Sequence, residues 1–188
     1  EMGREKPYWF AGGYAGKLRE AQEHGAVGVQ VGTLFGYCRE SNIEPTLKLR
    51  ALEQMIAGGT VFTSPNASSS GYPFKVAQID GTLSDPKIYS ARKRVCDLGY
   101  LVEFDKQGTA RCSAEPISQY LEKDGLEKDT ENKVCLCNAL AATIGLGSPG
   151  EPPIATAGSD WSSVIEIVKK HGLNYSVKNA IDYILERK

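Results

Sequence analysis

Several features that would indicate a particular function are scarce or absent in this sequence. It has only two histidines, and no apolar run approaches the ~20 residues of a membrane-spanning helix. Its acidic and basic side chains nearly cancel to a net charge of −1, so neither nucleic acid nor a membrane surface is expected as a partner. The phosphate-loop pattern G-x-x-x-x-G-K-S/T is also absent.

The composition is typical of a folded globular protein, with 41% hydrophobic and 24% charged residues. The opening stretch, EMGREKPYWF, contains no apolar core of the kind that a signal peptide needs. Five cysteines, an odd number, in a chain without a secretory signal indicate a reducing compartment. We therefore expect a cytoplasmic protein.

The first 57 residues follow the order strand, helix, strand, helix. PYWFA at 7–11 and AVGVQV at 26–31 are short apolar runs typical of buried strands, and the helix between them ends at Gly25. EPTLKLRALEQMIAGG, which begins at residue 44, predicts a second helix with one apolar stripe. Because a crossover helix between two adjacent strands makes them parallel, we predict an α/β fold for residues 1–57.

Residues 58–188 are expected to form a mostly helical C-terminal extension with a few short strands. TVFT and FKVAQI are typical of short strands. SDWSSVIEIVKKHG and SVKNAIDYILERK are amphipathic helix patterns, and Ser176 is placed to cap the second of them. The predicted division is therefore an α/β segment, 1–57, and an extension, 58–188.

Two glycine turns follow the two predicted strands. AGGYAG places Gly12 and Gly13 after the first strand, and GVQVGT places Gly32 and Thr33 after the second. Glycine lets backbone N–H groups approach an anion closely, and the carboxyl ends of parallel neighbouring strands lie at one edge of a sheet. The two turns can therefore hold one phosphate between them, with the Thr33 hydroxyl as a further donor. The alternative interpretation is that these are ordinary turn and cap glycines.

The stretch PYWFAGGYAGKLREAQEHGAVGVQVGTLFGYCRES resembles the end of the barrel in the nitronate monooxygenase (2-nitropropane dioxygenase-like) family. That family typically shows an AGGI turn, a helix and then LGAxGVQxGTxF. Ala11, Gly12 and Gly13 match the first motif, with Tyr14 in place of the usual aliphatic residue. Later stretches, among them CLCNALAATIGLG, resemble the C-terminal region of a longer bacterial branch, so the resemblance covers most of the chain.

The resemblance implies an FMN-dependent oxidoreductase that oxidises alkyl nitronates, a small-molecule substrate, with molecular oxygen. Residues 1–57 would be the last two βα units of a TIM (β/α)8 barrel, and an upstream segment would supply the remainder. The isolated chain would then bind FMN weakly or not at all. The residues that the resemblance assigns to the flavin phosphate are Ala11, Gly12, Gly13, Gln30, Val31, Gly32 and Thr33.

No catalytic residue is assigned from the sequence. The histidine that acts near the flavin in the family lies upstream of this segment and has no counterpart here. His24 and His171 both fall at the ends of predicted helices, where a histidine complements the helix dipole. Two alternatives remain open: a cysteine-stapled structural or interaction module without a cofactor, and another FMN-barrel reductase, such as an enoyl reductase.

Four cysteines lie in the extension, namely Cys96, Cys112, Cys135 and Cys137. Four thiolates in a reducing compartment can complete a tetrahedral zinc site that staples a loop-rich segment. Their spacings of 15, 22 and 1 intervening residues match no C-x2-C pair, which favours the alternative that they are small buried apolar residues. Cys38, on the turn after the second strand, is the cysteine of interest near a flavin site.

Overall fold

The structure is a computed structural model that describes residues 6–187, and it has a mixed α/β architecture. The chain forms two compact units: one combines the residues up to Gly58 with those from Ala157 onward, and the other is Gly59–Thr156. No helix among the residues described is both long and apolar enough to cross a bilayer.

The first unit contains a two-stranded parallel sheet. Its strands are β1 (Trp9–Ala11) and β2 (Gly28–Gln30), and helix α1 (Leu18–Glu23) connects them. Ala21 is fully buried, and Gly25 follows the helix with φ of +85°, a conformation that favours glycine. The predicted order of strand, helix and parallel strand is confirmed.

Two helices follow β2. Helix α2 (Thr33–Gly36) is a single turn, and α3 (Pro45–Ile56) is the longest helix described. Glu44 caps α3, because its carboxylate accepts the backbone N–H groups of Thr46 at 3.1 Å and Leu47 at 2.8 Å. The buried face of α3 includes the apolar side chains of Leu47, Ala51, Leu52 and Met55. The stripe predicted from the sequence is therefore the packed face.

Two C-terminal helices complete the first unit. They are α7 (Ser162–His171) and α8 (Val177–Ile184), and Ser176 caps α8 in a capping box as predicted. The buried hydroxyl of Tyr175 donates to the carbonyl of Leu34 at 2.7 Å. The Trp161 ring packs on Tyr37 with centroids 5.0 Å apart. These contacts place the last part of the chain in the first unit, whereas the sequence predicted a single extension over 58–188.

The second unit is built on two antiparallel hairpins and three short α-helices, with a 3-10 helix at Glu127–Thr130. The hairpins are β3 (Val61–Ser64) with β4 (Phe74–Ala77), and β5 (Glu103–Phe104) with β6 (Ala110–Arg111). The helices are α4 (Pro86–Ala91), α5 (Ile117–Glu122) and α6 (Leu136–Thr143). An apolar core joins β4 to α6, and its buried members are Ala67, Val76, Leu83, Val134, Leu136, Ala139 and Ile154. The strand pieces predicted at TVFT and FKVAQI are both present.

Candidate functional site: the glycine edge and the cysteine cluster

The parallel pair brings both predicted glycine turns to one edge of the sheet. The register pairs Trp9 with Gly28 and Ala11 with Gln30, so the residues after each strand emerge side by side. We call this the glycine edge, and it comprises 11–13 and 30–33. These are the seven residues that the sequence predicts for the phosphate.

The glycine edge is open to a ligand at two of its glycines. A Cβ built on Gly12 or on Gly32 would meet no other atom within 4 Å, and both residues are exposed. Gly12 and Gly13 have φ of +72° and +82°, which side-chain-bearing residues rarely adopt. The turn after β1 therefore depends on glycine, and the backbone at Gly12 and Gly32 can be approached closely.

A segment far away in the sequence lies on the same edge. The backbone N–H of Gly158 donates to the Thr33 hydroxyl oxygen at 2.7 Å. Oδ2 of Asp160 lies 2.9 Å from the position that a Cβ on Gly13 would take. Sequence reasoning missed both residues, because Gly158 is 125 positions from Thr33 and carries no local signal.

The charge of Asp160 is well stabilised. Its Oδ1 accepts the hydroxyl of Ser162 at 2.7 Å and the Ser162 backbone N–H at 2.9 Å, at the start of α7. These two hydrogen bonds, together with the nearby Lys17 ammonium, hold the pKa of Asp160 below its ordinary value. Gly13 is therefore next to a fixed negative charge, while Lys17 brings a positive charge to the same region.

The residues present fit a phosphate ester at one part of the edge and oppose it at another. Thr33 accepts from Gly158 and still has its own proton to donate, and Gly12 and Gly32 leave space for close approach. Helix α1 starts only at Leu18, so the Gly12 turn does not lie directly at the positive N-terminal end of this helix. The Asp160 carboxylate disfavours a phosphate dianion pressed against Gly13. The open backbone at Gly12 and Gly32 therefore suits an anion better than the position next to Gly13 does.

The two histidines lie at helix ends, as the sequence predicts. His24 follows α1 as its C-terminal cap, and His171 is the last residue of α7. Nδ1 of His171 is 3.3 Å from the side-chain amide of Asn179. Neither histidine lies on the glycine edge, and neither is assigned a catalytic role.

The four cysteines of the second unit gather in one place. Cys112 and Cys135 are buried, and Cys96 and Cys137 pack against them. We call these four residues the cysteine cluster. Cys38 belongs to the first unit, where its buried Sγ–H donates to the Phe35 carbonyl at 3.1 Å.

Burial disfavours the thiolate form of two members of the cluster. Burial raises the pKa of Cys96, and it raises that of Cys135 to about 12. Within residues 6–187, no three side chains of His, Cys, Asp or Glu are arranged as they would be around a metal ion. The structure thus brings the predicted cysteines together without forming a finished coordination sphere.

The cavities of the second unit include two that lie apart from these residues. One of about 290 Å³ is largely apolar, with Phe62, Leu83 and Tyr89 in its wall. The other, of about 450 Å³, carries charges of both signs, including Arg111 and Glu131. Neither is lined by a residue of the glycine edge or of the cysteine cluster.

Comparison with known proteins identifies no relative of this chain: no protein-family model, no curated protein and no solved structure matches it. The resemblance to nitronate monooxygenases therefore depends on the motifs quoted above. The function must be inferred from those motifs and from the geometry of the glycine edge.

Proposed function

We propose that this chain is the phosphate-binding part of an FMN-dependent oxidoreductase resembling nitronate monooxygenase. One observation carries the proposal: β1 and β2 pair in parallel, with Ala11 opposite Gln30, so two consecutive strand ends present glycine turns at one edge. In (β/α)8 barrels, consecutive loops at the carboxyl ends of the strands commonly build such a phosphate site. Residues 1–57 are accordingly proposed as the last two βα units of a barrel.

In this proposal each part of the glycine edge has a definite role. Residues 11–13 and 30–33 surround the phosphate, the Thr33 hydroxyl donates a hydrogen bond to it, and Lys17 offsets its charge. FMN, when bound, supplies the electron transfer between an alkyl nitronate and oxygen. The residues of this chain bind and orient the phosphate end, and they do not take part in the redox step.

The groups that face the reactive ring are proposed to come from an upstream segment that supplies the other barrel strands. The small-molecule substrate would bind against that segment. The proposed compartment is the cytoplasm, where a reducing environment keeps the five cysteines as thiols, as they are in the structure.

The test is to purify the product of the complete reading frame that contains these residues. We expect a yellow protein with bound FMN, which consumes oxygen when an alkyl nitronate is added. A colourless protein whose absorbance does not respond to added FMN contradicts the proposal. Bound FMN with activity on an enoyl substrate, and none on nitronates, identifies the alternative barrel reductase instead.

A matched pair of variants of the complete protein tests the glycine edge itself. Gly32→Ala places a methyl group in the open approach to the edge, and Gly36→Ala adds the same group in α2, where a Cβ also meets nothing within 4 Å. We expect Gly32→Ala to weaken FMN binding by about tenfold, since a methyl group keeps the phosphate from the backbone, and Gly36→Ala to leave it unchanged. Equal effects of both variants would show that the edge does not hold the phosphate.

A structural or interaction module without a cofactor is the second candidate. The Asp160 carboxylate beside Gly13 favours it, because a fixed anion already lies where an anionic ligand would approach. Titration of the complete protein with FMN and with riboflavin separates the two candidates. A phosphate site predicts that FMN binds more tightly than riboflavin, whereas the module predicts that neither binds.

A further inference from the structure

The cysteine cluster takes no part in the proposed flavin site, and its members come from three separate segments of the second unit. Cys96 lies in the loop after α4, and Cys112 directly follows β6. Cys135 caps the N-terminus of α6, and Cys137 is the second residue of that helix. Four of the five cysteines of the chain therefore converge, although 15 and 22 residues separate the segments.

Few other apolar residues pack in the cysteine cluster. The other residues packed in the cluster are Ala114 and Val102. The segment between α4 and α6 contains two strands of two residues each and the short helix α5. A region with so small a core commonly depends on a metal or a covalent cross-link.

Hydrogen bonds already tie the cysteine-bearing segments to one another. The side-chain amide of Asn138, in α6, donates to Oδ1 of Asp97, which is adjacent to Cys96. The Oδ1 of the same Asn138 accepts from Sγ of Cys135 at 3.5 Å. The bond to Asp97 keeps the segments of Cys96 and Cys135 together, as outer-shell bonds around a metal do, whereas the Sγ–H bond of Cys135 is lost when that thiol gives up its proton to a metal.

An ion pair and an arginine lie near the cluster. Lys123 donates to the buried carboxylate of Glu115 at 2.7 Å, and Glu115 in turn accepts the backbone N–H of Cys112 at 3.3 Å. Nη1 of Arg94 donates to the carbonyl of Ser113 at 3.4 Å, one residue from Cys112. The N-terminus of α6, where two of the cysteines lie, adds the positive end of a helix dipole.

We propose that Cys96, Cys112, Cys135 and Cys137 bind one Zn²⁺ ion as four thiolates. On binding, each of the four S–H groups gives up its proton to solvent, and four Zn–S bonds replace the water ligands of the ion, with no change in oxidation state. The thiols reach the ion by rotation about their Cα–Cβ bonds and by adjustment of the loops that carry Cys96 and Cys112. The site is structural, since four protein ligands leave no open position for a substrate.

The site is tested by the metal content of the full chain, purified under reducing conditions without chelator. We expect about one equivalent of zinc per chain, released by a thiol-reactive mercurial. Cobalt substitution should give the absorption of a tetrahedral tetrathiolate centre. Cys112→Ser and Cys137→Ser should each lower the zinc content at least tenfold, because a hydroxyl is a poor zinc ligand. Cys38→Ser, in the other unit, is the matched control and should keep its zinc.

Other outcomes overturn the zinc site. Zinc below about a tenth of an equivalent, even after incubation with Zn²⁺, shows that the cysteines are only buried apolar residues. If no zinc binds, Cys112→Val has the same melting temperature as the parent chain. If zinc binds, Cys112→Val instead loses as much thermal stability as Cys112→Ser does. Iron in place of zinc, or fewer than five free thiols in the denatured chain, also contradicts the proposal. None of these results depends on FMN, so failure here is distinct from failure of the flavin proposal.

Discussion

The backbone N–H of Gly158 donates to the hydroxyl of Thr33 at 2.7 Å, and this bond joins the C-terminal segment of the first unit to the glycine edge. Asp160 follows two residues later and reaches Gly13 at the neighbouring turn. The segment that contains Gly158 and Asp160 therefore contacts both glycine turns. Substitutions at the edge should change the stability of the unit as well as any ligand binding.

Thr33→Val is expected to destabilise the protein by about 1 kcal/mol, because the partly buried N–H of Gly158 loses its acceptor. Thr33→Ser keeps the hydroxyl and is the matched control. Urea unfolding curves measure the difference. If Thr33→Val and Thr33→Ser lower the free energy of unfolding equally, the hydrogen bond to Gly158 contributes nothing to stability.

Gly13→Ala is expected to be more destabilising than Gly12→Ala. Both variants force a residue with a Cβ into a positive φ, at a cost of about 1 kcal/mol. Only at Gly13 does the new methyl group also meet the Asp160 carboxylate, since a Cβ there would lie 2.9 Å from Oδ2. Thermal denaturation of the two variants compares them directly. A larger loss of stability for Gly12→Ala would show that the Asp160 carboxylate does not lie next to Gly13.

Lys48 has a buried side chain whose ammonium group donates to three carbonyl oxygens, of Cys38 at 2.9 Å, Arg39 at 3.2 Å and Ser41 at 2.9 Å. It therefore holds the loop between α2 and α3. Lys48→Met keeps most of the aliphatic length and leaves three carbonyls without this donor. We expect a loss of roughly 2–4 kcal/mol in the free energy of unfolding.

The control for Lys48 is Lys169→Met, at an exposed position in α7. A surface substitution of this kind changes stability by less than about 0.5 kcal/mol. Chemical denaturation of both variants under the same conditions makes the comparison. Equal small losses would show that the three carbonyls find other donors when the lysine is removed.

Glu44 should make the first unit sensitive to acid. The backbone N–H groups of Thr46 and Leu47 hold the pKa of Glu44 below its ordinary value. The cap therefore stabilises the fold fully above the unfolded pKa of about 4.3, and this contribution is lost as the pH falls through the folded pKa. Glu44→Gln should lower stability by up to about 1 kcal/mol at neutral pH and by progressively less in acid.

Melting temperatures of Glu44→Gln and the parent chain between about pH 7 and pH 3 measure this difference. Glu53→Gln, at an exposed position of the same helix, is the control. The two curves for Glu44 should converge at low pH, where both chains carry a neutral side chain at this position. A constant offset at every pH would show that the charge of the cap is not involved.

Much of the first unit was predictable, because the signals are local. The strand before Gly12, the strand before Gly32 and the helix that begins at Pro45 depend on residue patterns within a few positions. The parallel pairing also follows, since a crossover helix connects the strands. These features are enough to predict that the glycine turns share one edge.

Other parts of the candidate site could not be predicted. The approach of Asp160 to Gly13 has no local pattern, and it results from the burial of Tyr175 and Trp161 in the first unit. The single extension predicted for 58–188 missed this return of the chain for the same reason. Short-range patterns report which face of an element is apolar, and they do not report which distant element covers it.

The sequence by itself determined the secondary structure around the glycine edge, the positions that require glycine and the concentration of four cysteines in the extension. Local backbone preferences and the periodicity of apolar residues are sufficient for these features. Only the tertiary structure decided that Asp160 shares the edge with Gly13, and that Cys96, Cys112 and Cys135 meet in one cluster. Those contacts join residues far apart in the chain, and the packing of whole elements, rather than any neighbouring residue, brings them together.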